Sequence, residues 1–263
     1  MNTITSNLPG RPVYVADGCR TPFLKSTGKP GPFHAADLAL AAGRSLLLKL
    51  PIDAAQLDQV VLGCVGPGPD EANIARVLAL RLGCNENTPA MTVQRNCASG
   101  MQALDTAALD IASGRADMVL AGGTEAMSHH PLMLSQAMVN WLAVWNGTTN
   151  LRERGQALAQ FRVGYLKPVI GLLRGLTDPV VGLSMGQTAE KLARAFHIER
   201  RQMDSYALKS HQRLQHAVEQ VHLEEIVPLY DSEGRCYTDD NGLRPGSSME
   251  KLSRLKPVFD RPY

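Results

Sequence analysis

The sequence has no C-x-x-C pair and no even set of cysteines. Its cysteines are Cys19, Cys64, Cys84, Cys97 and Cys236. The absence of paired spacing excludes a zinc ribbon, and the odd total disfavours a disulfide framework. Free thiols in a reducing compartment are therefore expected.

The sequence also lacks segments that would direct it to or through a membrane. No window of about 18 uninterrupted apolar residues is present, although a spanning helix needs roughly that length. Residues 1–10 contain no basic region followed by an apolar region, as a signal peptide would. The expected location is cytoplasmic.

Neither sign of charge dominates. Lys and Arg total 27 and Asp and Glu total 25, so the formal net charge is only +2. That balance gives no global electrostatic field that would attract nucleic acid, which is not expected as a partner.

Hydrophobic residues make up 44% and charged residues 20%, as in ordinary globular proteins, which argues against disorder and fibrous repeats. The 263 residues suffice for one large domain or two modest ones.

Apolar patterns and turn residues alternate between strand and helix in the first part of the chain. Strands are predicted at 13–21, 59–65, 90–94 and 117–121, and helices at 37–50, 73–82 and 98–113. Alternation at this spacing favours right-handed crossovers and a mostly parallel sheet covered by helices. The predicted class is therefore α/β.

The second part of the chain has a different pattern. Regular alternation is lost in residues 128–183, and two helices are predicted further on, at 188–197 and 200–221. The basic amphipathic stretch at 152–174 has two interpretations: an ordinary solvated face, or a surface that docks onto a membrane or a partner protein.

Cys97 has the position of a nucleophile. It stands between the strand predicted at 90–94 and the helix predicted at 98–113. Unpaired backbone amides and the positive end of the helix dipole favour a thiolate there, and the thiolate is the reactive form. Cys97 is therefore the first candidate for a catalytic residue.

The other four cysteines are interpreted without a chemical role. Free cysteines are usually small buried hydrophobes. We assign Cys19, Cys64 and Cys84 to the core or to loops, and Cys236 to a polar loop.

A serine motif competes with Cys97. Residues 182–186, GLSMG, match the G-x-S-x-G nucleophile elbow around Ser184. A hydrolase of that type needs an acid and then a histidine further along the chain. The last histidine is His222, and Asp231 comes only after it. The glycines are therefore interpreted as ordinary loop residues.

Two other motifs are weaker. Gly122 and Gly123 follow a predicted strand, and without a G-x-G-x-x-G or P-loop pattern they indicate a tight turn. His129 and His130 are adjacent, so they do not share a helix face and do not have metal-binding spacing. No metal site is predicted.

Several segments resemble the thiolase family. They are VADGCRTPF at 15–23, VQRNCASG at 93–100, GRAD at 114–117, AGGTEAMS at 121–128, MGQTAEKLA at 185–193 and LRPGSSMEKLSRLKPVFD at 243–260. The resemblance covers nearly the entire chain. It implies a thiolase-like layered α/β fold, with a βαβαβ sheet domain at 1–127 and an inserted, mainly helical loop domain at 128–263.

The resemblance implies acyl transfer on a cysteine. Cys97 matches the family's nucleophile, which takes the acyl group of a 3-ketoacyl-CoA, releases acetyl-CoA and passes the acyl group to incoming CoA. The long basic insertion is similar to thiolases of fatty-acid β-oxidation. Coenzyme A would rest against the loop domain, with Met185 near its pantetheine and Arg244 near its nucleotide. CoA is then a substrate, and no tightly bound cofactor is implied.

The resemblance also implies partners. A homodimer or tetramer is expected, formed through the sheet domain. A hydratase/dehydrogenase or a membrane surface, contacted through residues 152–174, is the second kind of partner considered. Ser184 falls where some family members have a histidine, so no catalytic role passes to it.

The sequence departs from the family in one respect. The family's second, repeated half carries a Gly-His-Pro motif that activates the nucleophile, an Asn-Glu-Ala-Phe-like motif for an oxyanion hole and a Cys-x-Gly-Gly motif for the second acid/base. None of these occurs in this sequence, nor does the strand that completes the first sheet after the loop domain. The C-terminal repeat half is therefore expected to be absent, and the chain to be inactive unless that half is supplied. The alternatives are a non-catalytic thiolase-like subunit or scaffold, and a ketoacyl synthase.

Overall fold

A computed structural model describes residues 10–259, which form two compact units. The first contains the described residues up to His129 together with Ala207–Ser247. The second contains His130–Tyr206 and the described residues from Ser248 onward. Ala207–Ser247 thus belong to the first compact unit, although they come after residue 128 in the sequence. The domain division expected between residues 127 and 128 stays a prediction.

The first unit is built on a parallel sheet. Its three strands are β1 Gln59–Gly63, β2 Ala90–Val93 and β3 Val119–Gly123, in the order β2-β1-β3. Val60 pairs with Ala90 on one side and with Leu120 on the other, so β1 is the central strand. The strands predicted from 59, 90 and 117 are confirmed, although β3 begins at Val119.

Helices cover both faces of this sheet. They are α1 Ala35–Lys49, α2 Ile74–Leu82 and α3 Ser99–Ala112. Val60, Leu62 and Cys64 alternate onto one face, where they form a buried cluster with residues of α1 and α2. Gly63 points to the opposite face, where α3 packs. The predicted α/β class is confirmed.

Local sequence signals set the ends of α2. The Asn73 side chain accepts a hydrogen bond from the Arg76 amide at 3.1 Å and caps the first turn. Gly83 ends the helix with φ 87°, a left-handed conformation that glycine adopts without strain. Because both signals are local, the helix predicted at 73–82 is confirmed.

The strand predicted at 13–21 is wrong. Only Arg20 forms an isolated bridge, with Ile226, and no strand of the described chain pairs with residues 13–19. Tyr14 is 83% exposed and Val15 is 90% exposed. β-Branched and aromatic residues form a strand only where a neighbouring strand takes up their backbone hydrogen bonds and covers their side chains.

The second unit is mainly helical. Its elements are β4 Leu132–Met133, α4 Gln136–Asn146, α5 Leu151–Ala159, β5 Val169–Ile170, α6 Gly171–Gly175, α7 Met185–Ala195, the start of α8 Arg200–Glu219, and α9 Met249–Ser253. Strands β4 and β5 pair antiparallel. The Trp141 indole donates a hydrogen bond to the Ala157 carbonyl at 2.8 Å, which joins α4 to α5. The helices predicted at 188–197 and 200–221 are confirmed.

The remainder of the first unit consists of α8 from Ala207 onward and the segment that follows this helix. It contains an antiparallel pair, β6 Leu229–Tyr230 and β7 Cys236–Tyr237. The Arg20 guanidinium donates to the Asp240 carboxylate at 2.8 and 2.9 Å and to Glu225 at 3.1 Å, which attaches this segment to the N-terminal part of the unit. Within residues 10–259, every helix is too short or too polar to cross a bilayer.

The contact between β1 and α3 requires a glycine at position 63. A Cβ atom on Gly63 would lie 2.3 Å from the carbonyl carbon of Ser99 and 2.6 Å from the amide nitrogen of Gly100. A Cβ on Gly123 of β3 would lie 3.1 Å from the Cα of Gly100. The first turn of α3 therefore lies directly on the backbone of the sheet, with no room for a side chain.

We expect Gly63→Ala to lower the free energy of unfolding by about 1–3 kcal/mol, because the added methyl group overpacks against the α3 backbone. The matched control is Gly68→Ala in the loop after β1, where a Cβ would meet no atom within 4 Å. Urea denaturation followed by circular dichroism measures both variants. Equal unfolding midpoints for Gly63→Ala and Gly68→Ala would contradict this packing.

Candidate active site around Cys97

Cys97 lies on a tight loop between β2 and α3. Strand β2 ends at Val93 and α3 begins at Ser99, so the predicted order of strand, cysteine and helix is confirmed. Asn96 has φ 47°, in the left-handed region that asparagine tolerates better than most residues. The Cys97 side chain is exposed. The loop therefore presents its thiol to solvent at the N-terminal end of α3.

Hydrogen bonds from the start of α3 close this loop. The Ala98 amide donates to the Arg95 carbonyl, and the Ser99 amide donates to the Asn96 carbonyl, both at 3.0 Å. The Ser99 hydroxyl accepts from the Arg95 amide at 2.8 Å and donates to the Asn96 carbonyl at 2.6 Å. The Arg95 guanidinium donates to Gln102 Oε1 at 2.8 Å. The residues on both sides of Cys97 are thus fixed to the helix that follows them.

The tight turn predicted at Gly122 and Gly123 is wrong, because both glycines belong to β3. They pair with Leu62 and Gly63 of the central strand, and the Thr124 amide continues the ladder by donating to the Gly63 carbonyl at 3.0 Å. The backbone at Gly122 and Gly123 is extended because it pairs with the neighbouring strand β1. The small size of Gly123 serves close packing against α3 instead of a turn.

Cys64 is a second thiol in this unit, and it is buried. Burial, first, and the Glu125 carboxylate, whose oxygens lie 3.9 and 4.0 Å from Sγ, together raise the pKa of its thiol to about 11. Glu125 also accepts a hydrogen bond from the Val65 amide at 2.8 Å. Cys64 stays protonated near neutral pH and is a core residue, as predicted.

Two of the remaining three cysteines are shielded from solvent, and the third is exposed. Cys84 is buried and Cys19 is partly buried, as predicted, and burial raises the pKa of both thiols. Cys236 is exposed, but it lies in β7 and not in the predicted loop.

The two predicted CoA-binding residues lie in different units. Arg244 is an exposed residue of the first unit, and its backbone amide donates to His211 Nδ1 at 3.4 Å. Met185 is the first residue of α7 in the second unit, and its side chain is exposed. No hydrogen bond or ion pair between described residues links Arg244 to Cys97. The CoA-binding roles of both residues stay predictions.

Ser184 is a helix cap and not a nucleophile. Its hydroxyl accepts a hydrogen bond from the Gln187 amide at 3.3 Å, and the Gln187 side chain accepts from the Ser184 amide at 3.0 Å. This reciprocal pair is a capping box at the start of α7. Gly186, predicted as a loop residue, lies inside α7, where its lack of a side chain accommodates the ring of Phe259.

The adjacent histidines do not form a metal centre with other described side chains. The His129 ring lies against that of His34 with centroids 4.1 Å apart and the ring planes tilted by 39°, and its Nε2 donates to the Gly31 carbonyl at 2.8 Å. Between residues 10 and 259, no group of three or more His, Cys, Asp or Glu side chains is arranged to hold a metal ion.

The arrangement of sheet, cysteine loop and helix agrees with a known family. The family model described as "Thiolase, N-terminal domain" matches residues 13–262. The chain belongs to the thiolase family. Its thiolase-like fold is confirmed by the solved structures that it resembles.

The relatives of this thiolase-family chain are about twice as long. The mitochondrial trifunctional enzyme subunit beta of Bos taurus is 37% identical over 253 residues, which cover 96% of this chain and 52% of the relative. A 3-ketoacyl-CoA thiolase of Yersinia enterocolitica is 32% identical over 256 residues, with 97% and 58% coverage. The structure of human mitochondrial 3-ketoacyl-CoA thiolase in complex with CoA matches with a TM-score of 0.76 and 31% identity, covering 92% of this chain and 57% of that chain. The chain spans about half the length of the curated relatives it matches.

Sequence reasoning missed two residues that position Cys97. Ser99 follows the cysteine by two positions and holds its loop, and Gly63 lets α3 lie on the sheet. A serine two positions after a cysteine and followed by a glycine, at a strand-to-helix junction, is a sequence feature that could have indicated Ser99. Gly63 lies far from Cys97 in sequence, so no local pattern indicates it.

We expect iodoacetamide at about pH 8 to modify Cys97 and Cys236 in the native chain and to leave Cys64 and Cys84 unmodified, because the reagent needs an accessible thiolate. Peptide mapping by mass spectrometry gives the rate at each site. The same reaction in urea serves as the control, since all thiols should react once the chain is unfolded. Modification of native Cys64 as fast as Cys97 would contradict the assignment of these two thiols.

Proposed function

We propose that this chain supplies Cys97 as the acyl-accepting nucleophile of a 3-ketoacyl-CoA thiolase. The observation that carries the proposal is an exposed thiol on the tight loop before α3, in a chain of the thiolase family. The match to a human thiolase structure in complex with CoA supports a CoA thioester as the substrate. The activity is thiolytic acyl transfer in fatty-acid β-oxidation.

The reaction takes place in two transfers. The Cys97 thiolate attacks the keto carbon of a 3-ketoacyl-CoA, the carbon–carbon bond next to it breaks, and acetyl-CoA leaves after its carbanion takes a proton. The thiol of a second CoA then loses its proton and attacks the acyl-cysteine. A shortened acyl-CoA forms and the Cys97 thiolate returns. The cysteine thus divides one difficult cleavage into two easier steps, and the reverse sequence is a Claisen condensation.

Each transfer passes through an intermediate with a negatively charged oxygen. Backbone N–H groups at the start of a helix are suitable donors to such an oxygen, since they are aligned with the positive end of the helix dipole. In this proposal the Cys97 amide is one of these donors.

The proton transfers require groups that the family carries in its second half. We propose that a histidine of a Gly-His-Pro motif and a cysteine of a Cys-x-Gly-Gly motif complete the site when that half is present, in the same or in a separate polypeptide. The chain is inactive alone under this proposal.

Met185 and Arg244 are the proposed CoA contacts. The exposed thioether of Met185 suits the pantetheine arm, and the exposed guanidinium of Arg244 suits the phosphates of the nucleotide. CoA is a substrate here, and no tightly bound cofactor is needed.

The proposed assembly is a homodimer or tetramer with a hydratase/dehydrogenase as its partner. The proposed location is the cytoplasm, whereas the Bos taurus relative is described as mitochondrial.

Acyl capture tests the role of Cys97. The full chain is mixed with the separately produced C-terminal half of a related thiolase and with acetyl-CoA. We expect one acetyl group on the peptide that carries Cys97 and its loss when free CoA is added, because a thioester on cysteine exchanges with a thiol. Mass spectrometry after an acid quench measures both steps.

The matched variants for this test are Cys97→Ser and Cys236→Ser, since each removes one exposed thiol. The first should abolish the adduct and the second should leave it unchanged. The absence of any adduct on Cys97 in the complemented mixture, or an adduct on another residue, would rule out the proposed nucleophile.

A second candidate is a non-catalytic thiolase-like subunit that docks onto an anionic membrane surface. Large apolar side chains are exposed within 151–176, including Leu151 at 85% and Val163 at 79%. Exposed cations of the same stretch are Arg152, Arg154, Arg162, Lys167 and Arg174. Exposed apolar side chains beside cations suit the interface of a bilayer that contains negatively charged lipids.

We expect the chain to sediment with vesicles of phosphatidylcholine and phosphatidylserine at low salt and to be released at high salt, because screening weakens electrostatic docking. Replacing Arg152 and Arg154 by Gln should weaken binding by about 1 kcal/mol for each cation, roughly thirtyfold for the pair. The control replaces Lys209 and Arg213 of α8 by Gln, an equal loss of charge outside the stretch. Vesicle binding that is absent at both salt concentrations, or equally weakened by both pairs, would exclude this surface.

A further inference from the structure

Ser99 is a buried polar residue at the first position of α3. It is only 3% exposed, although serine is usually found at the surface. A hydroxyl has one proton to donate and two lone pairs to accept with. Ser99 uses both capacities on the loop that carries Cys97: it accepts from the Arg95 amide at 2.8 Å and donates to the Asn96 carbonyl at 2.6 Å.

The Asn96 carbonyl belongs to the peptide group that also contains the Cys97 amide. A peptide group is planar and almost always trans, so its C=O and N–H point in opposite directions. The hydroxyl and the backbone amide of Ser99 both donate to this carbonyl, which holds it toward the first turn of α3. The Cys97 N–H is thereby held pointing away from that turn.

The residue directly before Cys97 has an uncommon backbone conformation. Asn96 has φ 47°, a left-handed conformation that is uncommon for residues other than glycine and persists where surrounding contacts hold it. The Ser99 hydroxyl accepts from the N–H of the Gln94–Arg95 peptide group and donates to the C=O of the Asn96–Cys97 peptide group, so its two bonds lie on either side of Asn96. The hydroxyl therefore holds the backbone around Asn96, the residue directly before the cysteine.

We propose that Ser99 is a positioning residue for acyl transfer: its hydroxyl fixes the Asn96–Cys97 peptide plane, so that the Cys97 amide is aimed at the oxygen of the tetrahedral intermediate. The inference rests on the proposed function of Cys97. It predicts that Ser99 affects reactions at Cys97 that develop a negative oxygen, and does not affect reactions at the same sulfur that develop none.

Two probes separate these reactions in the full chain. Acylation of Cys97 by p-nitrophenyl acetate passes through an oxyanion, whereas alkylation by iodoacetamide does not. Removing one donor from an oxyanion hole lowers rates strongly, so we expect Ser99→Ala to lower the ratio of acylation to alkylation at Cys97 by at least about tenfold. Peptide mass spectrometry measures both rates on the same cysteine.

Matched variants separate positioning from folding. Ser113→Ala removes a hydroxyl at the other end of α3, where it donates to the Asp110 carbonyl at 3.1 Å, and should leave the ratio unchanged. Ser99→Thr keeps the hydroxyl and Ser99→Val has nearly the same shape without it, so the first should retain the ratio and the second should lose it. This pair also decides the question if Ser99→Ala does not fold.

An unchanged ratio in Ser99→Ala or Ser99→Val would overturn the proposal, and so would an equal loss of both reactions, which indicates a structural role only. A wild-type ratio no higher than that of a short peptide containing Cys97 would also overturn it, because the amide would then give no assistance. Neither probe contains CoA and neither needs a second half, so failed acyl capture from acetyl-CoA contradicts the proposed function without deciding the role of Ser99.

Discussion

The position of Cys97 depends on the close approach of α3 to the sheet. Gly63 and Gly123, at the ends of β1 and β3, leave no side chain between the strands and the first turn of the helix at Gly100. Contacts between backbone atoms are less adjustable than contacts between side chains, since the backbone cannot change rotamer. The start of α3 is therefore fixed relative to the ends of the strands, and the short loop that leads into it is fixed as well.

Two cysteines lie near strand ends of this sheet, and only one of them is on the loop that leads into α3. Cys64 directly follows β1 on the face covered by α1 and α2, where burial and Glu125 keep its thiol protonated. Cys97 lies on the loop before α3 and is exposed. The two residues have the same chemistry, and their environments make one a core residue and the other a candidate nucleophile.

Several elements could be predicted from sequence because their determinants are local. The Asn73 side chain caps the start of α2, and Gly83 ends this helix because a residue without a side chain adopts the left-handed conformation easily. The segment at 13–21 has a strand-like composition, yet it forms no strand, because pairing depends on a neighbour elsewhere in the chain. The same limit explains Gly122 and Gly123, which suggested a turn in isolation but remain extended beside β1. Ser99 was missed because its hydrogen bonds depend on the left-handed conformation of Asn96, which composition does not reveal.

The sequence by itself determined the α/β class, the family resemblance and the choice of Cys97, because periodicity and motif spacing are properties of the chain in one dimension. The tertiary structure decided which cysteine is accessible, which strand-like segment is paired, and which residues hold the Asn96–Cys97 peptide plane. Burial and hydrogen bonding of this kind arise between residues distant in sequence, such as Gly63 and Ser99, or from a backbone conformation that the neighbouring elements impose. These interactions exist only once the chain has folded.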